Sequence, residues 1–309
     1  MTLEQLRVFV AVAEREHVTR AAADLHLTQS ATSAAVAALE TRYATKLFNR
    51  IGRRIELTQA GRLFLVEARA VLARAAAAET VLAELAGLKR GSLALAASQT
   101  VGNYWLPPLM HRYRTEYPGI ALGLTIGNTE TVVAAVRDGI ADLGFVEGRV
   151  DDPALSVTPV ADDELVLVVS AALPRPKRRA VAAADLKAMR WVSREPGSAT
   201  RALFEEAMAR AGLGLSDIDV ILELPSNEAV IAAVKDGAGA AILSKLVVAA
   251  LLDSGSLVAL DLALPKRQFF VLRHQERSIT QAERELYKLI DSLPRAANRR
   301  TPTRRSQRR

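Results

Sequence analysis

The 309-residue chain contains no cysteine, which excludes disulfides and thiolate metal sites. Its four histidines, His17, His26, His111 and His274, are scattered. No metal-ligand spacing arises from them, and no metal is expected. Apolar runs are short of the ~18–20 residues that a bilayer-spanning helix needs. The opening MTLEQLRVFVAVAEREH sets acids and an arginine where a signal peptide requires a basic start and an unbroken apolar stretch. A soluble, non-exported protein without membrane contact is therefore expected. Also missing are a Gly-x-Ser-x-Gly elbow, a Walker loop, a His-Glu-x-x-His pair and a glycine-rich dinucleotide turn. With neither nucleophile nor base in sight, the chain reads as a binding protein rather than an enzyme, and no cofactor is implied.

What is present suffices for two or three cores: half the residues are hydrophobic, and domains commonly take ~100–200 residues each. The net charge of +7 is concentrated in one place, because the last fifteen residues, RAANRRTPTRRSQRR, hold seven arginines and no acid. That segment, 295–309, reads as a disordered basic arm able to attract phosphates without sequence preference.

Residues 1–58 carry the pattern of short helices followed by a basic hairpin. Leu6, Phe9, Val10 and Ala13 have the spacing of an amphipathic helix, and a second helix covers about Thr19 to Leu25. HLT then makes a tight turn, with Thr28 as the N-cap of a third helix. In that helix Thr32, Ala35, Val36, Leu39 and Tyr43 form an inward stripe, leaving Gln29, Ser30, Ser33, Ala34 and Ala37 outside. This is the layout of a helix-turn-helix that reads DNA, although no basic residue precedes Arg42. In FNRIGRRIELTQAG, Ile51, Ile55 and Leu57 bracket Gly52, Arg53 and Arg54, which suggests a two-stranded wing. The absent positive charge is then supplied by Arg42, Arg50, Arg53 and Arg54.

Thr58 caps a long helix reaching about Leu88. Phe64, Val71, Ala78 and Leu85 recur every seven residues along it, with Ala68, Ala75 and Leu82 in the complementary set. Such a heptad suits pairing with a second subunit, and packing on its own domain is the alternative. From Gly91, short β-rich runs alternate with helices, as in α/β domains with largely parallel sheets. Strands are expected at SLALAAS, IALGLTI, ADLGFVE, ELVLVVS, MRWVS, DVILEL, GAAIL and QFFVLRH. Helices are expected near 104–117, 129–138, 199–211, 228–236 and 280–293.

An internal repeat runs through this region. ETVVAAVRDGIADLGFV from Glu130 and EAVIAAVKDGAGAAIL from Glu228 share their order of residue types at an offset of 98, and Thr100 and Ser198 correspond at the same offset. Two similar subdomains facing one another across a cleft are expected. The strand-to-helix turns hold its chemistry: Ser98, Gln99 and Thr100 in one half, Gly197, Ser198 and Thr200 in the other. Asn128, Thr129, Ser226 and Asn227 begin the next helices, and Glu147 ends a strand on the same side. Helix-start amides and hydroxyls suit a small anion, inorganic or carboxylate. Arg194 adds charge or pairs with Glu195. Asp162, Asp163 and Glu164 read as a solvated turn.

The stretch LRVFVAVAEREHVTRAAADLHLTQSATSAAVAALETRYATKLFNRIGRRIELTQAG is similar to the N-terminal DNA-binding domain of LysR-type transcriptional regulators. The heptad helix, the α/β repeat and the domain order fit that family over about residues 1–293. The resemblance implies an all-α winged helix-turn-helix over 1–58 and a linker and dimerisation helix over 59–90. Over 91–294 it implies an α/β effector domain of two Rossmann-like subdomains, periplasmic-binding-protein-like, type 2. Subdomain I would take about 91–161 and 267–294, and subdomain II about 162–266.

By position, Thr28, Gln29, Ser30 and Ser33 would face the major groove, with Thr32 near the phosphates and Arg50, Arg53 and Arg54 in or beside the wing. The chain departs from the family at Ser30, where proline is common, and at Ala34 and Ala35, where many members carry arginine or polar residues. The implied partners are double-stranded promoter DNA, a small-molecule effector, RNA polymerase and further copies of the chain in a homotetramer, within the bacterial cytoplasm. ASQTVGNYWLP, IGNTE and SREPGSATR are similar to a branch that includes regulators of sulfur assimilation and sulfite response. A small-molecule-binding protein without transcriptional output and an α/β enzyme are the competing readings.

Overall fold

A computed structural model describes residues 1–51, 54–85, 91–173 and 181–293. The basic arm, Gly52 and Arg53 at the wing tip and the end of the linker segment lie outside these residues.

The N-terminal domain is built on α1 (Leu3–Arg15), α2 (Val18–Asp24) and α3 (Gln29–Arg42). Thr2 and Gln5 close a capping box on α1, satisfying two backbone donors reciprocally. Leu6, Phe9, Val12 and Ala13 are buried on one face of α1. The turn after α2 ends in a left-handed residue, His26 (φ 55°). There Leu27 N–H donates to Ala22 O (2.8 Å) and His26 N–H to Ala23 O (3.1 Å), the Schellman arrangement with histidine where glycine usually sits. Thr28 then caps α3 through Ala31 N–H (3.2 Å), as its position predicts. Thr32 and Leu39 are buried along α3, but Tyr43 is not the inward residue expected. It terminates the helix, is 52% exposed and lies beneath the Arg42 guanidinium.

Strands β1 (Phe48–Ile51) and β2 (Arg54–Leu57) pair antiparallel to form the wing. Glu40 ties the wing to α3 by accepting Leu47 N–H (2.8 Å), Phe48 N–H (3.2 Å) and Lys46 Nζ (2.7 Å). Burial pushes its carboxyl up, yet these donors outweigh it and hold the group below the ordinary carboxylate value. Thr58 caps α4 (Gln59–Leu85) by accepting Gly61 N–H at 2.9 Å. Gly61 is required there, because a Cβ would stand 2.1 Å from Leu47 O. The first turns of α4 complete the domain core, with Phe64 and Ala68 packed against Phe9, Leu39 and Leu47. The alternative reading of the heptad holds for the first turns, where Phe64 and Ala68 pack in their own domain, whereas Val71 and Leu82 are 41% and 67% exposed.

The C-terminal half has two lobes. Lobe I is a five-stranded sheet, whose order is β4 (Ile120–Gly127), β3 (Gly91–Ser98), β5 (Leu143–Glu147), β12 (Arg267–His274) and β6 (Leu155–Asp163). The first three run parallel, and β12 lies antiparallel to both its neighbours. α5 (Leu106–Glu116), α6 (Thr129–Arg137) and α11 (Gln281–Asp291) belong to this lobe. α5 begins later than periodicity suggests, since Pro107 and Pro108 are tolerated only in a first turn and Val101–Trp105 form a π-helical turn before it.

Lobe II holds β7 (Leu165–Ser170) between β10 (Ala241–Ser244) and β11 (Leu257–Leu260), all antiparallel, and the parallel pair β8 (Arg190–Arg194) and β9 (Asp219–Leu224). A bridge from Trp191 to Ala240 joins the two sets. Its helices are α7 (Ala183–Ala188), α8 (Ala199–Arg210), α9 (Asn227–Lys235) and α10 (Lys245–Asp253). The sheets are mixed rather than largely parallel. β6, β11, α7 and α10 are additions to the expected elements. Pro159 and the acids that follow disguise β6, and KLVVAALLD has the continuous apolar run of a strand although it forms a helix.

Candidate DNA-reading face and effector cleft

On α3, Gln29, Ser30, Ala34 and Ala37 are exposed and Ser33 is half-buried, so the first turn presents a short polar face bordered by alanine. Thr28 Oγ1, besides capping α3, shares a hydrogen bond with Ser30 Oγ (3.0 Å). Gln29 keeps an amide free for a base edge, where it can pair bidentately with adenine. Thr32 is corrected: its side chain is fully buried and its hydroxyl donates to Thr28 O (3.1 Å), which withdraws it from phosphate. Arg50 and Arg54 occupy the wing strands, Arg50 opposite Ile55 and Arg54 opposite Ile51. Their side chains, like all of Arg53, lie outside the described residues.

The two lobes meet along two seams that reflect the internal repeat. At the first, Gln99 of lobe I donates to Pro225 O (2.7 Å) and accepts Asn227 N–H (3.0 Å). Asn227 Nδ2 donates to Thr100 Oγ1 (3.2 Å), and Arg194 Nη1 to Asn227 Oδ1 (2.7 Å). Tyr104 O–H donates to Glu228 Oε1 (3.1 Å); burial and that carboxylate push the phenol up to about 12, which keeps it a donor. At the second seam Asn128, while capping α6 through Thr131 N–H (3.0 Å), reaches Glu195 Oε1 (3.5 Å) and Pro196 O (3.4 Å). Glu130 N–H meets Gly197 O at 3.4 Å. Gly197 has a φ of +81°, and a Cβ there would stand 2.6 Å from Glu130 Oε2. Each lobe therefore offers a helix start to the other lobe's strand-to-helix turn.

Arg194 does pair with Glu195, through Nε (2.7 Å) and Nη2 (2.9 Å). Burial raises the Glu195 carboxyl, but Arg194 and the other donors more than compensate and leave it lowered. Between the seams lies a second buried cation. Arg267 Nε donates to Asp163 Oδ2 (2.5 Å) and Nη1 to Thr200 Oγ1 (3.1 Å), with Glu147 Oε1 at 3.9 Å. Asp163 also accepts Ser244 O–H at 2.6 Å. Asp163 is thus no solvated turn residue: it ends β6, its side chain is 4% exposed, and it joins the lobes through Arg267, Thr200 and Ser244. Asp162, one position earlier, accepts Gln268 Nε2 at 2.8 Å.

A cavity of about 1050 Å³ opens beside this network and follows α8. Of the residues expected to bind a ligand, Thr129, Glu147, Gly197 and Ser198 line it. Ser98, Gln99, Thr100, Ser226 and Asn227 do not; Gln99, Thr100 and Asn227 build the first seam, Asn128 the second, and Ser226 caps α9 through Ala229 N–H (3.0 Å). Arg194 and Thr200 are buried at the lobe interface. Among buried described side chains, the Ser98 and Thr129 hydroxyls have no hydrogen-bond partner. Sequence reasoning missed Arg267, Arg149 and Lys266. An arginine opening the apolar run RQFFVLRH was the available signal for the first.

Comparison with known proteins follows the same division. Residues 3–62 match the family described as "Bacterial regulatory helix-turn-helix protein, lysR family" and residues 86–293 match "LysR substrate binding domain". The chain belongs to the LysR family. It is a sequence-specific DNA-binding transcriptional regulator with a C-terminal effector-binding domain, and the family is not one of enzymes. The match at 3–62 also sets aside a solute-binding protein without transcriptional output. This LysR-family regulator is 33% identical over 293 residues to the Escherichia coli K12 "Uncharacterized HTH-type transcriptional regulator YeiE", covering 94% of the chain and 97% of that protein. It is 34% identical over 284 residues to the "RuBisCO operon transcriptional regulator" of Allochromatium vinosum, covering 91% and 93%. Full-length CbnR complexed with its target DNA superposes with a TM-score of 0.69 at 23% identity, covering 94% of this chain and 99% of that one. The Synechocystis CcmR regulatory domain in complex with 2-PG superposes with a TM-score of 0.60 at 26% identity, over 65% and 97%. Among the described residues of the regulator, no helix is long and apolar enough to cross a membrane.

Proposed function

We propose that the DNA binding of this LysR-family regulator is controlled by a small anionic molecule held between the lobes. The observation that carries this reading is the cavity itself: seams close both flanks, yet the buried Thr129 hydroxyl in its lining has no hydrogen-bond partner and Ser198, beside it in the lining, makes no capping bond to α8. A ligand that satisfies them binds the closed cleft better than an open one. That differential affinity is what shifts a population. The complex of the CcmR regulatory domain with 2-PG supports ligand binding by a domain of similar fold. The branch of sulfur-assimilation and sulfite-response regulators, suggested by short motifs, makes sulfate and sulfite direct candidates for the anion.

The remaining parts of the reading concern assembly. Leu63, Val66, Val71 and Leu82 of α4 are exposed, which favours a second copy pairing along this helix, and a dimer of dimers bends promoter DNA. RNA polymerase is the further partner, and the cytoplasm the place of action. Gln29, Ser30 and Ser33 read bases, and the wing arginines hold phosphates.

A footprint over the regulator's own upstream region, with and without a panel of anions, tests the proposal. A protected site whose length or hypersensitive pattern changes with one anion is expected. Protection that no anion alters, in a protein that binds none of them calorimetrically, refutes effector control. Thr100→Val leaves Asn227 Nδ2 without its acceptor, so it should change the anion response while DNA affinity stays within about tenfold.

A further inference from the structure

The outer face of α3 is chemically narrow. Ser30, Ala34, Ala37 and Thr41 follow one another at helical spacing, all are exposed, and they lie opposite the buried Thr32 and Leu39. Gln29 and Ser33 flank this row in the first turns. The helix-turn-helix match at residues 3–62 makes DNA the ligand of the domain. For a helix laid in the major groove, specificity depends on which base edges its side chains can answer.

Guanine is most often read by the paired donors of arginine or lysine, and cytosine by a carboxylate that accepts from its amino group. Between Gln29 and Thr41 the sequence has neither lysine nor arginine, and its one carboxylate is Glu40. Glu40 is already bonded to Lys46 Nζ and to the amides of Leu47 and Phe48. Arg42, the first cation of the helix, stands in its last turn with its guanidinium over the Tyr43 ring. Neither member of a G·C pair meets its usual partner on this face. The A·T pair does. Gln29 alone brings a terminal amide, which pairs bidentately with adenine. Thymine alone carries a methyl group into the groove, and the alanine methyl is an apolar partner for it. Small side chains at positions 34 and 37 also let the helix approach the base edges closely enough for methyl groups to touch.

We propose that this regulator selects its operator through thymine 5-methyl groups seated against Ala34 and Ala37, with Gln29 on a neighbouring adenine. This rests on the reading of α3 as the helix that contacts bases, and it names the base pair that the helix selects.

The test is a gel-shift competition with the full-length protein on the protected site of its own upstream region, each thymine replaced in turn by deoxyuridine. That exchange removes the 5-methyl group and leaves base pairing unchanged. At one or more thymines affinity should fall about fourfold, the effect of returning one methyl-sized group to water. Ala34→Gly or Ala37→Gly should abolish the difference between thymine and uracil at the matching position. Glycine weakens a helix interior, but the thymine-to-uracil ratio is measured on one preparation of each protein, so that loss cancels. Ala34→Arg should lose the ratio too, even while its added charge raises affinity for any duplex. The proposal is overturned if every thymine tolerates uracil. It is equally overturned if the ratio survives in both glycine variants, which would place methyl recognition on another element. Gln29→Ala separates the two levels. If Q29A loses its preference for the protected site over unrelated DNA while wild type tolerates uracil throughout, α3 reads bases without methyl recognition. A site preference that Q29A and both glycine variants leave intact removes α3 from base reading, and the proposal with it.

Discussion

Removing the Arg267 side chain is the sharpest perturbation of the lobe interface. Arg267→Met keeps much of the buried aliphatic volume but deletes the charge that Asp163 and Glu147 share. All three side chains are nearly inaccessible, at 0%, 4% and 4% exposed. Breaking a buried pair from one side costs about 3–5 kcal/mol, because the abandoned charge stays desolvated. Here two acids are abandoned together, so the upper end of that range applies. Asp163→Leu should cost less, since Arg267 retains Glu147 at 3.9 Å and Thr200 at 3.1 Å. The double variant should recover only part of the difference, because it removes the Arg267 and Asp163 charges but leaves the buried Glu147 without its cation. For an α/β region of about 200 residues, each 1 kcal/mol moves the melting temperature by ~2–4 °C. Differential scanning calorimetry of the four proteins should then show R267M lowest, by at least about 8 °C, with D163L between it and wild type. If D163L melts at or below R267M, or both fall by under about 2 °C, the buried network does not hold the lobes together as described.

Three further outcomes are expected. His26→Gly relieves a left-handed residue in the Schellman turn before α3, and denaturant unfolding should show a gain of about 0.5–1 kcal/mol; a loss would mean that the imidazole makes a contact worth more than the backbone relief. Glu283 is buried, which pushes its carboxyl from 4.5 to about 7. Because the folded value is the higher one, its contribution is fully present below pH 4.5 and lost as pH rises through 7; Glu283→Gln should therefore flatten stability against pH across that window and stabilise at pH 8, whereas an unchanged slope would refute the assignment. Ala34→Arg places a cation on the exposed, alanine-lined face of α3. It should tighten DNA binding in gel shifts and steepen the salt dependence by about one unit of slope; abolished binding would show that this face packs on something other than DNA.

The parts of this structure legible in sequence are those specified locally. Thr28 and Thr58 cap helices because a hydroxyl three residues before a free amide has a short-range geometric meaning. The two lobes were legible because the repeat at Glu130 and Glu228 writes the same unit twice. Asp163 was not, since an acid in a run of acids looks solvated until a partner 104 residues away, Arg267, is folded against it. For the same reason Thr100 and Asn227, matched to the ligand by their turns, serve the seam instead: residue type marks a polar junction, and only tertiary distance decides what fills it. α10 escaped because seven consecutive apolar residues carry no period.

The unequal seams define how the effector domain can move. The junction at Asn227 is bonded at 2.7–3.2 Å, while that at Asn128 is held at 3.4–3.5 Å. One side behaves as a hinge and the other as a door left on the latch. On the proposed reading, a molecule settling against Thr129 and Ser198 draws the looser side closed and turns one lobe about the tighter one. Substitutions at Gln99 or Asn227 would then move that axis without touching the ligand.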